Sequence, residues 1–445
     1  MSLHWKQLQA YEWVMAWWNL LITWWAWTGK SYLIEKIKET SENIIVTAST
    51  WIAAVNIWWT TIHSFLWLWI GDKPAWTIVN NLMRFNKKKH KAILKASTII
   101  IDEVSMLPWS MLDLIEEVLS RIRGSEYWMF WWMQMILAWD FLQLPPVRKK
   151  DAPLDMLYNS VIYKTAGFKE IVLDKVYRQQ DDIMIDMLNN IRQWVLTDKH
   201  LELLNSKTNS KKDWLEPIKI VTHNYQADQI NREALSKIKA EPKKYIMRWK
   251  GFPKYIDSLK KNCIAQEILI LKEWAQVMML KNTYQDLWIV NWSMWIIKRF
   301  EQWENSKWHY PVVEFANWEV LKITSAVWET KEICEEDKWK AEYTWTIDNN
   351  SDEKVAAKIL QVPLRLAYAI TVHKCQSMTL DKIECDLTHA FEDWQIYVAL
   401  SRAKTLDWLY VKWINRDKLK VNQDVLNFYK LINNNENTTT IQTTN

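Results

Sequence analysis

The chain has 445 residues, a length that suits two to four domains with buried cores. Its 57 Lys and Arg residues against 52 Asp and Glu residues leave a net charge of +5, which fits a nucleic-acid partner and an ordinary solvated surface equally well. Four cysteines without metal-ligand spacing exclude a disulfide scaffold and favour a reducing compartment. The sequence has no secretory leader pattern and no long apolar run, so we expect no membrane partner.

Two residue counts are abnormal, with 34 Trp and 5 Gly. At about 7% glycine, roughly 31 glycines are expected in a chain of this length. The two observed counts together resemble a normal glycine content plus a few tryptophans. We therefore hypothesise that most Trp letters stand where the biological chain has glycine. This happens when a UGA codon that the cell reads as glycine is translated as tryptophan.

The predicted elements alternate between strands and helices over the first 150 residues, which is typical of a parallel α/β sheet. Strands are predicted at residues 19–23, 44–48, 98–102 and 135–138, and an amphipathic helix at 31–38. A second α/β block begins near residue 167 and resumes near residue 355, after a β-rich stretch. The last residues are rich in Asn and Thr and predict a disordered tail.

A phosphate-binding pattern follows the first predicted strand. Its letters are Trp24, Trp25, Ala26, Trp27, Thr28, Gly29, Lys30 and Ser31. With glycine at 24, 25 and 27 they read GGAGTGKS, a complete phosphate loop between a strand and a helix. Such a loop turns backbone N–H groups inward around the phosphates of ATP, which demands positive φ and leaves no room for side chains. Lys30 would contact the phosphates, and the Ser31 hydroxyl would bind Mg²⁺.

An acidic pair, Asp102 and Glu103, ends the predicted strand at 98–102. An apolar strand that ends in Asp-Glu is a Walker B arrangement. Asp102 would hold the Mg²⁺ shell, and Glu103 would orient and deprotonate the attacking water. A solvated acidic pair is a common alternative for such a strand end in isolation, but the preceding phosphate loop disfavours it here.

Several further segments resemble motifs of the PIF (petite integration frequency) class of superfamily 1B DNA helicases. With the Trp letters read as Gly, residues 102–106 read DEVSM and residues 139–147 read GDFLQLPPV. The other motifs follow in the family's order, at residues 47–54, 58–64, 176–179, 287–295, 368–380 and 394–402. The family carries glycine at Trp24, Trp27, Trp51, Trp58, Trp59, Trp139, Trp292, Trp295 and Trp394. A genuinely Trp-rich protein would have no reason to show this coincidence.

The resemblance implies an α/β fold with two RecA-like P-loop motor domains, each with a parallel sheet, and a small β-rich, SH3-like insertion. The first motor domain is expected at residues 1–165. The second is expected in two parts, at 166–266 and 355–430, on either side of the insertion at 267–354. Residues 431–445 would be the disordered polar tail.

The resemblance also implies roles for individual residues. Gln7 would read the adenine base, although Gln9 is close enough to be an alternative. Gln143 would sense the γ-phosphate, and Arg178 and Arg402 would act as arginine fingers that stabilise charge on the transferred phosphoryl group. The residues expected on the DNA side are Thr60, His63, Thr371, His373 and Lys374. A structural role stays open for the two histidines.

The function implied by the resemblance is that of an ATP-dependent DNA helicase that moves 5′ to 3′ on single-stranded DNA. ATP and Mg²⁺ would be its cofactors, and single-stranded and forked DNA its partners. It would act as a monomer in the cytoplasm, associated with the nucleoid if the source is bacterial. Two alternatives remain: a superfamily 1B helicase of RecD or relaxase type, and a catalytically inactive DNA-binding scaffold, which the Trp residues would produce if they are real.

Overall fold

Apolar, β-branched runs form the strands of two parallel sheets in the computed structural model of the chain. The structure describes residues 3–24, 28–49, 60–68, 74–124, 133–140, 156–176, 181–192, 195, 197–207, 215–262, 265–281, 294–302, 308–314, 320–330, 357–376, 378–388, 394–413 and 423–442. The chain divides into two units. The first contains residues 1–195, 392–397 and 419–445, and the second contains residues 196–391 and 398–418.

The described residues of the first unit before residue 195 form six strands and eight helices. The strands are β1 (Leu20–Trp24), β2 (Ile44–Ala48), β3 (Thr60–Thr61), β4 (Thr98–Asp102), β5 (Gln134–Ala138) and β6 (Lys169–Leu173). The helices are α1 (Trp5–Met15), α2 (Lys30–Lys38), α3 (Ile62–Phe65), α4 (Ala75–Phe85), α5 (Lys87–Lys95), α6 (Trp109–Ile122), α7 (Val161–Thr165) and α8 (Asp182–Arg192).

The sheet of the first unit has the order β3-β2-β4-β5-β1-β6, and every adjacent pair is parallel. Strands β1, β4 and β5 are buried along their whole length, as expected of central strands covered on both faces. The sequence predictions for the four strands and for α2 are confirmed to within one residue. Because the central strands are parallel and adjacent, the residues at their carboxyl ends share one edge of the sheet.

The second unit begins with one helix and then alternates strands and helices. Its helices are α9 (Asp198–Ser206), α10 (Asn224–Lys237) and α11 (Pro253–Asn262). Its strands are β7 (Ile218–Val221), β8 (Lys243–Ile246), β9 (Arg248–Gly251), β10 (Ile268–Leu271), β11 (Gln276–Met279), β12 (Met294–Gln302), β13 (His309–Glu314), β14 (Val320–Lys322), β15 (Ala326–Thr330), β16 (Ala357–Gln361), β17 (Leu364–Leu366), β18 (Ala369–Thr371), β19 (Ile383–Asp386) and β20 (Leu409–Trp413). The chain also forms α12 (Gln395–Leu400) and α13 (Gln423–Gln442).

A parallel sheet of order β18-β7-β19-β20 forms the α/β part of the second unit. The rest of the unit is antiparallel, with sheets of order β14-β13-β12-β11-β17, β15-β16-β9 and β10-β8. The expected β-rich insertion therefore exists. Among the described residues, no helix combines the length and the apolar content that crossing a membrane requires.

The expected domain boundaries need three corrections. Strand β6 and helix α8 belong to the first unit, which continues to residue 195 rather than 165, because β6 pairs with β1 along five residues. The antiparallel region begins at β8, before residue 267, since β8 pairs with β10 and β9 with β16. Strands β16 and β17 also join antiparallel sheets, so the second α/β part resumes at β18 rather than at residue 355.

The prediction of a disordered tail from residue 431 is wrong as far as residue 442, because α13 extends to that point. The apolar side chains of Val425 and Ile432 are fully buried, seven residues apart, a spacing of two helical turns. Between them, the ring of Phe428 stacks on that of Tyr158 with the ring centroids 4.6 Å apart. These contacts anchor the helix, and the polar residues continue it.

Several helices of the first unit end in a left-handed residue. Gly124 takes φ +73° after α6, and its N–H bonds back to Arg121 O. Trp17 takes φ +68° after α1, where its N–H bonds to Val14 O and the next N–H bonds to Trp13 O. This pair of bonds is a Schellman motif, whose left-handed position is usually glycine. A tryptophan there carries the strain of a Cβ in the left-handed region.

We expect Trp17→Gly to raise the free energy of unfolding of the first unit by about 1 kcal/mol, because it relieves this strain. Trp18→Gly is the matched control, since Trp18 is the next residue, is similarly exposed and has no positive φ. We expect the control to give no gain. The measurement is urea or thermal unfolding followed by circular dichroism, and equal effects of the two changes would contradict the prediction.

Candidate nucleotide site and DNA-side residues

The phosphate-loop segment joins β1 to α2. Gly29 takes a left-handed conformation (φ +78°) and precedes the first residue of α2, Lys30. Its carbonyl accepts the Leu33 N–H at 3.1 Å, which starts the helix. This is the backbone turn that a phosphate loop requires. Thr28 is buried and Ser31 is exposed in the first turn of α2, whereas residues 25–27 lie outside the described residues.

The Lys30 ammonium contacts two buried carboxylates at the carboxyl end of β4. Its Nζ lies 2.6 Å from Asp102 Oδ1 and 3.0 Å from Glu103 Oε1. Strand β5 separates β1 from β4 in the sheet, so the fold itself brings together residues 72 positions apart. The phosphate loop and the Walker B pair, both predicted from sequence, form one cluster.

Burial and charge act in opposite directions on these groups. Burial lowers the pKa of Lys30, but the Asp102 and Glu103 carboxylates more than offset it, so the pKa of Lys30 lies above its usual value. Burial raises the pKa of Asp102, Lys30 lowers it and Glu103 raises it, with a net increase. The cluster therefore holds a firmly charged ammonium beside two oxygen-donor groups.

The backbone at Glu103 fixes its carboxylate in place. Glu103 has φ +51°, a strained value for a residue with a side chain. Its N–H donates to Asp102 Oδ1 at 2.8 Å, and its carbonyl accepts a hydrogen bond from the Ser49 hydroxyl. Such strain is typical of functional positions held by their surroundings. Ser49 was not predicted from the sequence as a site residue, although it lies within the motif at residues 47–54.

The donor set suits Mg²⁺. This ion prefers hard oxygen ligands and is usually held by one or two carboxylates together with substrate phosphates. Asp102, Glu103 and the exposed Ser31 hydroxyl supply such oxygens near Lys30. The described residues contain no group of three or more His, Cys, Asp or Glu side chains that could hold a metal alone. The arrangement fits an ion that arrives with a nucleotide.

Trp24 occupies the base of this cluster. Its ring is almost fully buried, and the Lys30 Nζ lies 4.2 Å from the ring centroid. A cation over an indole face is an attractive contact. The indole therefore competes for the ammonium that a phosphate loop directs at ATP, and glycine at this position would remove that competitor.

Gln7 is tied to the same loop. It is buried, its Nε2 donates to Thr28 O at 3.2 Å, and its Oε1 accepts the His4 N–H at 3.1 Å. Gln9 is half-buried and two positions further along α1. The contact with the loop favours Gln7 over Gln9 as the glutamine of the site.

Of the two arginine-finger candidates and Gln143, the structure describes only Arg402. Gln143 and Arg178 lie outside the described residues. Arg402 is buried within the second unit, where its guanidinium donates to Val398 O at 2.9 Å, Met378 O at 3.1 Å and Ser401 Oγ at 2.8 Å. Three of its five N–H donors are therefore engaged by its own unit in this structure.

The DNA-side candidates occupy two places. Thr60 and His63 are half-buried in β3 and α3 of the first unit, and burial lowers the pKa of His63. Thr371 is buried at the end of β18, where its carbonyl accepts the Lys374 N–H at 3.0 Å. This hydrogen bond to Thr371 therefore holds the backbone of the turn that follows β18.

The turn after β18 carries His373 and Lys374, both half-buried. Burial lowers the pKa of His373, and His223 lowers it further. Burial also lowers the pKa of Lys374, as does Arg365, while Asp228 opposes the shift. The imidazole of His373 is therefore biased toward its neutral form, and its contacts would be hydrogen bonding and stacking rather than charge pairing.

Comparisons with known proteins agree with the motif assignments. Residues 18–209 match the family described as PIF1-like helicase. The ATP-dependent DNA helicase RRM3 of Saccharomyces cerevisiae is 30% identical over 93% of this chain, which spans 65% of that protein. The ATP-dependent DNA helicase Pif1 of a Psychrobacter species is 30% identical over 91% of this chain and 67% of its own length. The chain belongs to the PIF1-like helicase family.

A solved structure extends this relationship to the fold. The crystal structure of Pif1 helicase from Bacteroides in complex with ADP-AlF3 and ssDNA is 28% identical, has a TM-score of 0.69 and covers 98% of both chains. The α/β class with two RecA-like motor domains, predicted from the motifs, is confirmed. The two parallel sheets described above are the cores of these domains.

One buried residue of this PIF1-like chain was missed from sequence. Arg192, at the end of α8, is 3% exposed, and its Nη2 lies 3.1 Å from Oδ1 of the fully buried Asp140. Its side chain continues the buried stripe of Met184 and Leu188, at intervals of four residues. An arginine on an otherwise apolar helical stripe was the signal that could have identified it.

We expect Glu103→Gln to lower kcat for ATP hydrolysis by roughly 10²- to 10⁴-fold, because the amide keeps the shape of the side chain but cannot take a proton from water. The parent should carry Trp24→Gly, Trp25→Gly and Trp27→Gly. ATP affinity, measured by calorimetry, should stay close to that of the parent. Glu117→Gln, on the exposed face of α6, is the control. Hydrolysis at the parent rate in Glu103→Gln would remove Glu103 from the mechanism.

Proposed function

We propose that the chain is an ATP-driven DNA helicase that couples ATP hydrolysis to movement along single-stranded DNA and to duplex unwinding. One observation carries the proposal: Lys30, next to the left-handed Gly29, lies within hydrogen-bond distance of both Asp102 and Glu103. This is the charge arrangement of a nucleotide hydrolase of the P-loop type. Membership of the PIF1-like family supports DNA as the substrate on which it acts.

The nucleotide site divides the chemistry among its residues. Lys30 contacts the β- and γ-phosphates, and the backbone N–H groups of the loop surround them. Ser31 and Asp102 would hold Mg²⁺, which would supply positive charge to neutralise the phosphate oxygens. Glu103 orients the attacking water and takes its proton. Gln7 holds the adenine end, a role that its contact with Thr28 supports.

The remaining ATP-linked roles follow the family motifs. Gln143 senses the γ-phosphate and couples it to domain movement, and Arg178 and Arg402 serve as arginine fingers. Engagement of an arginine finger is worth roughly 10³- to 10⁵-fold in rate. Arg402 is 7% exposed, so a rearrangement that exposes its two remaining N–H donors to the γ-phosphate is part of the proposal.

Single-stranded DNA would contact Thr60 and His63 of the first unit and the turn at residues 371–374 of the second. Lys374 supplies the positive charge for a phosphate, and the neutral His373 supplies a ring. The proposed direction is 5′ to 3′, and the proposed substrates are single-stranded and forked DNA. The proposed working form is a monomer.

A DNA-binding scaffold without catalysis is the second candidate. The Trp24 ring, 4.2 Å from the Lys30 ammonium, favours it if the tryptophan is real, because the indole face attracts the ammonium that would otherwise contact phosphate. A RecD- or relaxase-type helicase is a third reading, but the match at residues 18–209 supports the PIF1-like class instead.

We expect the chain with glycine at positions 24, 25 and 27 to hydrolyse ATP in a DNA-stimulated manner, and Lys30→Ala to reduce that activity at least about 100-fold by removing a charge from the phosphate site. A colorimetric phosphate assay measures hydrolysis. Strand separation is compared on substrates with a 5′ or a 3′ single-stranded tail, and only the 5′-tailed one should open. DNA binding without hydrolysis in the glycine-bearing chain would support the scaffold instead.

We expect Lys374→Ala to weaken binding of a single-stranded oligonucleotide and to reduce the slope of log K against log salt by about 1, because one phosphate contact is lost. Fluorescence anisotropy over a range of salt concentrations provides both values. Lys404→Ala is the control, since Lys404 is exposed in the same unit and pairs with Asp381. An unchanged slope for Lys374→Ala would place this lysine away from the DNA.

A further inference from the structure

We propose that the tryptophans at left-handed backbone positions, Trp17, Trp67, Trp274 and Trp394, are glycine in the natural protein, because its gene uses UGA as a glycine codon. Unlike the motif positions, the first three of these lie outside every motif that the family resemblance supplied. The backbone therefore tests the composition hypothesis at sites that the motifs do not reach.

In the part of the chain that the structure describes, glycine and tryptophan account for almost all positive φ values. Among the described residues, the glycines with positive φ are Gly29, Gly124, Gly167 and Gly251, and the non-glycine residues are Trp17, Trp67, Glu103, Trp274 and Trp394. Tryptophan makes up 34 of 445 residues, so four of five non-glycine cases far exceed its share. A bulky side chain at positive φ is a genuine outlier, whereas glycine is the default there.

The local hydrogen bonds show what these positions require. Trp67 follows α3, and its N–H bonds to Ser64 O while the next N–H bonds to His63 O. This repeats the Schellman motif at Trp17, and Gly124 takes the equivalent place after α6. Trp274 is the third residue of a turn closed by a 3.1 Å bond from Ala275 N to Lys272 O, a position where positive φ selects glycine.

Burial gives a second line of support at Trp394. The residue is 6% exposed and has φ +61°, and its indole Nε1 has no hydrogen-bond partner among the described residues. A buried indole N–H normally finds an acceptor. Trp17 and Trp274 show the opposite anomaly, because each exposes more than half of its side chain to solvent. Glycine removes both anomalies.

The test consists of sequencing the gene and measuring peptide masses of the natural protein. We expect UGA codons at positions 17, 67, 274 and 394 and at the phosphate-loop positions 24, 25 and 27, and glycine residue masses in the corresponding peptides of the protein purified from its source. Any position with a UGG codon serves as an internal control and should give the tryptophan mass. UGG codons or tryptophan masses at the left-handed positions would overturn the proposal. Because this result does not depend on activity, it is separable from failure of the helicase assignment.

A separate observation concerns the buried pair Arg192–Asp140. We infer that Arg192 is a positioning residue for the nucleotide site, an inference that rests on the proposed ATPase function. Asp140 follows β5, the strand between β1 and β4, so it leaves the sheet at the edge that carries Lys30 and Asp102. The Trp139 N–H donates to Ile22 O at 2.9 Å, which ties this segment to β1.

Arg192 connects that edge to two other segments of the first unit. Its guanidinium carbon lies 5.1 Å from the ring centroid of Tyr429 in α13, and Tyr397 of motif VI is a further electrostatic neighbour. One buried cation therefore joins the segment leading to Gln143, the helix α13 and the start of motif VI. Displacement of that segment by even 1 Å can cost a large factor in rate.

Stability alone does not account for this pair. Nε and Nη1 of Arg192 are buried without hydrogen-bond partners among the described residues, so its burial is poorly compensated. Replacing a buried ion pair by apolar residues of similar volume is often neutral or stabilising. If the pair served stability alone, such a replacement would leave kcat unchanged and keep or raise the stability of the protein. If the pair positions the nucleotide site, the replacement lowers kcat.

The test uses the natural protein, or the glycine-restored chain, as the parent. We expect the double variant Arg192→Met, Asp140→Leu to keep its melting temperature and its KM for ATP, and to lose roughly 10- to 100-fold in DNA-stimulated kcat. Arg192→Lys, which retains the charge, should recover part of that loss. Arg121→Met, in an exposed ion pair of α6, is the control. An active, well-folded double variant would overturn the inference.

If the double variant does not fold, Arg192→Lys and Asp140→Asn decide the question. Both keep the shape of the pair, and each should lower kcat when it is assayed well below the melting temperature of the variant. Asp140→Asn should also lower the melting temperature, because it leaves the buried guanidinium without its carboxylate. Parental kcat in both would overturn the inference. A parent without any ATP hydrolysis would instead refute the proposed function, so the two failures are distinguishable.

Discussion

The ion cluster of Lys30 with Asp102 and Glu103 is the interaction on which the proposed function of this chain depends. It requires that β1 and β4 end at the same edge of the sheet with only β5 between them. The carboxylates are buried, so each would be costly without the ammonium, and the ammonium would be costly without them. This mutual dependence keeps oxygen donors and a cation together where a triphosphate with its metal ion needs both.

Backbone conformation is the second constraint. A phosphate loop, the left-handed ends of α1 and α3, and the turn before β11 all require a residue without a Cβ. The chain satisfies this at Gly29 and Gly124 and carries tryptophan at Trp17, Trp67 and Trp274. The same substitution of letters thus accounts for the strained helix ends and for an indole face 4.2 Å from the Lys30 ammonium. With glycine at these positions, the local backbone preference of each residue agrees with the conformation that the fold requires there.

The elements that sequence reasoning placed well are those with a local signal. The runs that became β2 and β4 are apolar, β-branched and flanked by polar turns, so their bounds were predicted correctly. Domain boundaries failed because they depend on pairing. Nothing in the letters of β6 shows that it pairs with β1 rather than opening a new domain, and nothing in β16 shows that its partners are β9 and β15. In α13, burial of Val425 and Ile432 outweighed an Asn-rich composition that favours disorder.

The sequence by itself determined the chemistry of this protein: a phosphate loop, an acidic strand end and an ordered set of helicase motifs, because those residue types at those spacings carry out one kind of reaction. Only the tertiary structure decided which of these groups touch. It joined Lys30 to Asp102, tied Gln7 rather than Gln9 to the loop, and buried Arg192 against Asp140. Contacts between residues distant in sequence arise from strand order and burial, and no local pattern records either.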